Sequence, residues 1–299
     1  MHPSSDFITT FGHSVIQFGP LNDRVYLMKL ARPDLPRIVH YLQSLAQRYC
    51  LTKICAKVPQ SYRIPFEDQG FVQEANIPGL FDGQQDGLYL AKFLDHRRSS
   101  SDTKCLHPPE EHNCQKLIRP EQQEGHLGHQ TEHPQDISRS QELKITVRRM
   151  GLKDCPSIAR IFAHNFSAYP FPLYDLDYLQ ECMQSNVCFY GAEIEGQIAA
   201  LASSEMEETA SHVEMTDFIT LPAYRGYGLA TRLLQAMEKA MQSRGLLTAF
   251  SIARAGSLGM NTVFARCGYA YCGRLVQNTC FNGGLEDMNV WSKGLRPHA

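Results

Sequence analysis

The amino-acid sequence lacks an apolar run approaching the roughly 20 residues that span a bilayer, and it lacks an excess of charge of either sign. Its 29 basic and 31 acidic side chains give a formal net charge of −2. The opening segment Met1–Phe7 has neither the basic nor the apolar region of a signal peptide. We therefore expect a cytoplasmic protein that partners neither a membrane nor a nucleic acid.

Residues 97–142 contain no Phe, Trp or Tyr and are rich in Ser, Gln, Glu and His. Such a composition buries too little surface to offset the entropy cost of ordering the chain. We predict a disordered, low-complexity, His-rich linker here. It divides the chain into residues 1–96 and residues 143–299.

The ten cysteines show no regular spacing and fall singly in segments that otherwise favour strands and helices. We expect reduced thiols rather than a disulfide framework. Within the linker, Cys105, His107, His112 and Cys114 suggest zinc as an alternative, but their intervals do not match those of zinc sites. We expect no metal.

Residues 143–299 alternate strand and helix patterns. Two apolar runs, Val187–Glu193 and Gln197–Met206, flank Glu195-Gly196 and predict a hairpin with a tight turn. A β-branched run, Val213–Leu221, leads through a glycine-rich loop into an amphipathic helix that begins near Leu229. The pattern predicts a mixed α/β (α+β) domain.

The loop Arg225-Gly-Tyr-Gly-Leu-Ala230 connects that strand to that helix. Glycines at such a position present backbone N–H groups and the positive end of the helix to an anion, most naturally a phosphate. The loop has no Walker lysine and no dinucleotide fingerprint. A glycine-tolerant turn with a helix cap is the alternative interpretation.

The spacing Arg225-x-x-Gly228-x-Ala230 after Leu221-Pro222, together with Phe264-Ala-Arg-Cys-Gly-Tyr269, resembles the signature of the GNAT superfamily of acetyl-CoA-dependent N-acetyltransferases. The resemblance covers residues 144–296. It implies the GNAT acyl-CoA N-acyltransferase fold, acetyl-CoA as the acetyl donor, and a splayed strand pair that admits the pantetheine arm. The coenzyme residues that it implies are Phe218, Ile219, Thr220, Arg225, Gly226, Tyr227, Gly228, Leu229, Ala230 and Thr231.

A narrower match extends to both parts of the chain. The segments Asn165–Pro172, Glu214–Phe218, Ile252–Asn261, Met288–Trp291 and Asn22–Lys29 resemble β-lysine ε-N-acetyltransferases. This resemblance implies a small-molecule diamine substrate, β-lysine (3,6-diaminohexanoate), which a lysine aminomutase makes from lysine. It also implies that the product is the compatible solute N-ε-acetyl-β-lysine.

Residues 1–96 repeat part of the second domain. Three pairs of segments match at an offset near 200 residues: 51–57 with 247–253, 66–71 with 264–269, and 81–83 with 281–283. A helix is predicted over 34–49, but no glycine loop precedes it. We predict a partial, degenerate GNAT-like repeat that does not bind coenzyme and instead packs on the second domain or closes part of its cleft.

Acetyl transfer to an alkyl ammonium of pKa about 10.4 requires a base. Glu214 and Asp217 precede the glycine loop, and one of the two is the candidate base; the resemblance favours Glu214. Three residues apart, they point to opposite faces of a regular strand unless a bulge intervenes. Solvated carboxylates at the rim are the alternative.

Many members of the superfamily carry a tyrosine that protonates the coenzyme A sulfur, and this sequence has Phe264 at that position. No acid is therefore assigned. A thiol of pKa about 8.5 leaves tolerably without one. The resemblance also suggests that Tyr169 and Phe171 form one wall of the cleft.

Charged and polar side chains near the predicted cleft suggest how the substrate is held. We expect Arg254 and Asn261 to bind the substrate carboxylate, and Glu286, or its neighbour Asp287, to bind an amine. Two other functions stay open: acetylation of a protein or peptide amine, and a catalytically silent acetyl-CoA-binding sensor, which Phe264 suggests. No pattern indicates an oligomeric state.

Overall fold

A computed structural model describes residues 6–99, 144–165, 171–281 and 283–295. Within these residues, 13 strands form one continuous sheet that carries six α-helices. None of the described helices is long and apolar enough to cross a membrane. Tyr169 and the cysteines and histidines of the zinc alternative lie outside the described residues.

The part of the chain before the predicted linker contributes six strands and two helices. The strands are β1 (Phe7–Phe11), β2 (Ser14–Gly19), β3 (Arg24–Lys29), β4 (Lys53–Pro59), β5 (Val72–Phe81) and β6 (Gln85–Phe93), and the helices are α1 (Leu35–Arg48) and α2 (Ile64–Glu67). Ile38, Leu42 and Leu45 recur at helical spacing on α1 and pack into the core of this part. The helix predicted over 34–49 is thus confirmed.

The second part contributes seven strands and four helices. They are β7 (Ile145–Arg149), α3 (Cys155–Asn165), α4 (Leu176–Gln184), β8 (Val187–Ile194), β9 (Gln197–Glu207), β10 (His212–Thr220), α5 (Leu229–Ser243), β11 (Thr248–Arg254), α6 (Leu258–Arg266), β12 (Ala270–Phe281) and β13 (Gly284–Gly294). Glu195 and Gly196 both have positive φ, 51° and 79°, as a tight hairpin turn requires. The mixed α/β fold is confirmed.

The strands lie in the order β1-β2-β3-β4-β6-β5-β12-β13-β11-β10-β9-β8-β7. Only two pairs in this order are parallel, β3 with β4 and β10 with β11. Each parallel pair is joined through a helix, α1 in the first part and α5 in the second. The local order β4-β6-β5 therefore reproduces the order β11-β13-β12.

Irregularities in the sheet also recur between the two parts. In β5 the register shifts between Gln73 and Ala75 and again between Ile77 and Phe81. In β12 it shifts at the corresponding positions 198 residues later, which are residues 271 to 273 and 275 to 279. Because bulges are positional features of a fold, this match is compatible with the partial repeat predicted from the sequence.

The two parts join where β5 meets β12, at the single register pair Gly273 and Ala75. Gly273 has φ +139°, and a Cβ built on it would lie 2.2 Å from the Glu74 carbonyl oxygen. Buried polar bonds flank this contact: Lys53 Nζ donates to the Val276 carbonyl at 2.7 Å. Lys53 also forms a buried ion pair of 2.9 Å with Glu74. The sheet is thereby continuous across both parts.

Ordered structure continues to residue 99, three residues beyond the boundary predicted for the first part. His96–Ser99 form a short 3-10 helix. Its buried Arg98 donates to the carbonyl oxygens of Asn22 and Gln277, both at 2.8 Å. Arg98 thus ties the end of the first part to β12 in the second.

Replacing Gly273 with Ala should lower the free energy of unfolding by about 2 kcal/mol or more, since the new methyl group meets backbone atoms that cannot rotate away. Gly294→Ala is the matched control, because a Cβ there meets nothing within 4 Å. Thermal or urea denaturation of the two variants checks this. Equal stability would show that the halves do not depend on close approach at this point.

Candidate active site

A cavity of about 320 Å³ lies between the two parts of the chain. The first part contributes a wall of basic and aromatic residues that includes Arg24, Tyr26 and Lys57. The second contributes acidic residues, among them Glu214 and Asp217. Glu74 of the first part also lines the cavity, where it is paired with Lys53, so the cations without a carboxylate partner come from the first part and the carboxylates predicted from the sequence from the second.

A bulge in β10 brings both predicted carboxylates to this cavity. The pairing of β10 with β9 shifts register between Thr216 and Ile219, and Asp217 sits there with φ +57°. In a regular strand Asp217 would point away from Glu214. The bulge changes its direction, so the opposite-face expectation for a regular strand does not apply.

Glu205 is a third carboxylate of the cavity, which the sequence analysis missed. It lies on β9 directly opposite Glu214 in the antiparallel register. Two like charges directly opposite each other destabilise a sheet, so such a pair indicates a functional reason for its presence. That pairing is the signal that could have found Glu205, but it becomes visible only once the register is known.

Glu214 has a strongly altered acidity. Its burial, reinforced by the negative charge of Glu205, raises the pKa of Glu214 to about 8, although Lys57 acts in the opposite direction. The pKa of Glu205 is raised as well, chiefly by its removal from bulk water. A carboxyl group with a pKa near the working pH is suited to accept a proton from an amine.

The remaining cavity wall on this side comes from α4 and the loop before it. Asp217 accepts a hydrogen bond from the Ser203 hydroxyl, which holds its carboxylate against β9. Tyr178 and Phe171 line the cavity beside it. Burial raises the pKa of Tyr178, so its hydroxyl stays protonated. Of the two aromatic residues predicted for this wall, the structure describes Phe171 and places it here.

The strands β10 and β11 pair over only three residues and separate after Glu214 and Phe250. Beyond that point Ile219 and Thr220 pair with β9 on the other side. Among the described residues, no strand pairs with the β11-facing edge of residues 218–220. This opening is the splayed pair predicted from the sequence, and it places free backbone groups beside the acidic end of the cavity.

The glycine loop follows β10 and leads into α5. Gly226 and Gly228 have φ +88° and +69°, conformations that glycine adopts without strain. Gly228 is the N-cap of α5, and no side chain caps the helix there. The amides of the first turn thus need an external acceptor. Residues 225–228 are exposed, so the loop fits the pyrophosphate of a coenzyme.

Phe264 does not reach reacting atoms. Its ring is buried and packs edge-to-face on Phe218 and on Tyr269, with ring centroids 5.7 and 5.2 Å apart. Tyr269 is buried too, and burial raises the pKa of its hydroxyl. These aromatics form the packing behind the strand end, and the structure assigns no acid to the coenzyme thiolate.

The residues predicted to bind the substrate carboxylate and amine do not line the cavity. Arg254 and Glu286 bind each other through two hydrogen bonds of 2.8 and 2.6 Å, and neither lines the cavity. Glu286 and Asp287 also lie within β13 rather than in a loop. Opposite charges on facing strands bind each other, and a role for them in holding substrate stays a prediction.

Asn261 is also a structural residue. Its amide group donates to the carbonyl oxygens of Ser257 and Arg254, at 2.8 and 3.0 Å. Its amide oxygen accepts from Asn289 and Trp291, both at 2.9 Å. Asn261 is buried and hydrogen-bonded within the protein, and its predicted contact with substrate stays a prediction.

Comparison with known proteins follows the same division of the chain. Residues 155–269 match the acetyltransferase (GNAT) family. Half of the chain, over 150 residues, is 38% identical to 55% of the β-lysine N(6)-acetyltransferase of Methanosarcina mazei. A similar half, over 151 residues, is 37% identical to 55% of the N-acetyltransferase YodP of Bacillus subtilis.

A further match extends over both parts. Across 286 residues, the chain is 32% identical to the β-lysine N(6)-acetyltransferase of Methanococcus maripaludis, and the alignment covers 96% of this chain and 98% of that protein. The similarity thus includes the first part of the chain as well as the second. The chain belongs to the GNAT family of acetyltransferases.

Proposed function

We propose that this chain transfers the acetyl group of acetyl-CoA to the ε-amine of β-lysine. The observation that carries the proposal is a cavity that both halves enclose, with three carboxylates beside the opening between β10 and β11. The similarity to the Methanococcus maripaludis enzyme along nearly the whole chain supports the choice of substrate. A cavity of about 320 Å³ that both halves line suits a free diamine better than a folded protein.

Acetyl-CoA supplies the acetyl group as a thioester. The amides of residues 226–231 are the natural ligands of its pyrophosphate, and Arg225 and Tyr227 lie exposed beside them. Phe218, Ile219 and Thr220 border the strand opening that receives the pantetheine arm. A backbone N–H at this strand end is placed to polarise the thioester carbonyl.

The amine attacks the thioester carbon directly in a ternary complex. The N–C bond forms, the C–S bond breaks, and the coenzyme leaves as its thiolate, which takes up the second proton that the attacking nitrogen loses. Glu214 removes the proton that the ammonium must lose, and Asp217 and Glu205 hold the positive charge of the substrate beforehand. Holding both reactants in one cavity provides much of the rate enhancement without a covalent enzyme intermediate.

The metabolic setting stays a prediction. A lysine aminomutase would provide β-lysine, and N-ε-acetyl-β-lysine would serve as a compatible solute. A sensor without catalytic activity would bind acetyl-CoA and turn over no amine, and a protein acetyltransferase would act on peptides only.

The purified protein should release coenzyme A from acetyl-CoA in the presence of β-lysine, and more slowly with lysine or ornithine. Thiol release and mass spectrometry of the product measure this, and they identify which nitrogen carries the acetyl group. Tight acetyl-CoA binding without turnover of any free amine would contradict the proposal in favour of a sensor or a protein acetyltransferase.

Glu214→Gln should lower kcat/KM for β-lysine by about 100-fold or more, because it removes the base. In the wild type, kcat/KM should rise with pH up to about 8, as Glu214 loses its proton. In the Glu214→Gln variant, kcat/KM should not show this rise. Asp217→Asn removes a charge that raises the pKa of Glu214, so in that variant the rise in kcat/KM should occur at lower pH than in the wild type. An unchanged profile in both variants would exclude Glu214 as the base.

Gly228→Val should weaken acetyl-CoA binding by at least tenfold, about 1.4 kcal/mol, because a β-branched residue cannot hold φ +69° and the loop amides turn away. Gly245→Val is the matched control. It introduces the same strain, at φ +81°, just beyond the other end of α5. Calorimetric titration with acetyl-CoA should show lost affinity in the first variant only.

A further inference from the structure

Two cations in the cavity have no substrate-binding role in the function proposed above, although Lys57 lowers the pKa of Glu214. Arg24 lies on β3 and Lys57 on β4, both in the first part of the chain, and both line the cavity. They face a cavity whose other side carries Glu205, Glu214 and Asp217. Positive charges do not attract an ammonium group, so a role for them in substrate binding requires an anionic group on the substrate.

Lys57 has no anionic partner within ion-pair distance among the described residues. Its ammonium nitrogen lies 5.6 Å from the centroid of the Phe250 ring, a weak contact for a charge withdrawn from bulk water. Removal from water works against its charge, but Tyr26, Glu214 and Glu205 raise the pKa of Lys57, so it stays protonated. An ammonium in a cavity without a salt bridge favours an anionic ligand.

Lys53, on the same strand, shows the contrast. Its ammonium group is fully buried and is satisfied by Glu74 at 2.9 Å and by the Val276 carbonyl at 2.7 Å. Lys53 therefore serves the junction between the halves. Lys57 is four residues further along β4 and has neither kind of partner.

Arg24 supplies a second, partly used cation. One terminal nitrogen donates to the Asn278 carbonyl at 2.6 Å, and the other lies 3.4 Å from the Gln17 amide oxygen. Its Nε is buried without a hydrogen-bond partner, and Arg24 forms no ion pair among the described residues. Its guanidinium is held in place and keeps a donor for a ligand.

Two tyrosines complete this wall. Tyr26 and Tyr89 line the cavity beside Lys57, and Tyr89 stands opposite Lys57 in the pairing of β4 with β6. Burial raises the pKa of both phenols, so both hydroxyls remain protonated and can donate. The wall thus combines positive charge with neutral donors, which is the chemistry that recognises a carboxylate.

We propose that Lys57 binds the carboxylate of the amine substrate and so selects amino acids over simple diamines, with Arg24 as a second cation of the same cavity. This assignment rests on the proposed function, because it takes the acidic side of the cavity as the place of the reacting amine. It also gives the first half of the chain a function in substrate recognition. The half that has no coenzyme loop thus supplies the group that determines substrate specificity. In this assignment Lys57, rather than the sequence candidate Arg254, binds the substrate carboxylate.

Lys57→Met tests the assignment, since it removes the charge and keeps the length of the side chain. Lys92→Met is the matched control, because Lys92 lies on the neighbouring strand β6 and does not line the cavity. Calorimetry in the presence of coenzyme A measures binding of two probes, 6-aminohexanoate and pentylamine, which differ by the carboxylate. Turnover of β-lysine is measured in parallel, and a thermal melt verifies folding.

We expect Lys57→Met to weaken 6-aminohexanoate binding at least tenfold, to raise KM for β-lysine similarly, and to leave pentylamine binding within threefold of the wild-type value. Lys92→Met should change none of these. Equal losses for both probes, together with a shifted pH profile, would overturn the proposal and show that Lys57 only tunes Glu214. If the wild type does not acetylate β-lysine, the proposed function is refuted. Binding of 6-aminohexanoate compared with pentylamine then still decides whether Lys57 binds a carboxylate.

Discussion

The backbone contact between Gly273 and Ala75 is where two half-sheets become one. Because Gly273 has no side chain, β12 approaches β5 closely enough to pair. The buried Lys53–Glu74 pair binds the backbone of Val276 on β12: Lys53 donates to the Val276 carbonyl and Glu74 accepts from the Val276 N–H. Together with the bonds of Arg98 to the Gln277 carbonyl and of Arg24 to the Asn278 carbonyl, this junction fixes the position of one cavity wall relative to the other. A buried ion pair contributes little net stability compared with apolar packing, but it permits few alternative alignments.

The chemistry on the acidic side depends on a local defect rather than on a regular element. The bulge at Asp217 directs a second carboxylate into the space that already holds Glu214, and the strand pairing places Glu205 across from them. Crowding three carboxylates away from water costs free energy, which appears as the raised pKa of Glu214. The same crowding provides an attractive site for a diamine and a base of suitable strength. Catalytic sites commonly combine such costs with function.

The two halves share a strand order and bulge positions but differ in the features that line the cavity. The second half keeps the glycine loop and the strand opening, the features by which its family binds coenzyme. The first half keeps the strand order and the bulge positions of the repeat but carries Lys57 and Arg24 where the cavity needs positive charge. In the alignment of the two repeats, Lys57 corresponds to the buried Ala253. One fold thus supplies both a reaction site and the opposing wall of its substrate pocket.

Local patterns in the sequence were sufficient for the helices, the hairpin turn at Glu195-Gly196, the glycine loop and the family, because each depends on neighbours within a few residues or on a contiguous motif. The direction of Asp217, the pairing of Glu205 with Glu214 and the mutual neutralisation of Arg254 and Glu286 depend on strand register. Register is set by packing between distant segments. Lys57 and Arg24 share a cavity with the carboxylates of the second half only because the two halves, about 200 residues apart in the chain, pack together. The sequence by itself therefore determined the fold family and the glycine loop. Tertiary structure alone decided which charges share the cavity, because charges that are distant in sequence come together only when the strands pair and the two halves pack.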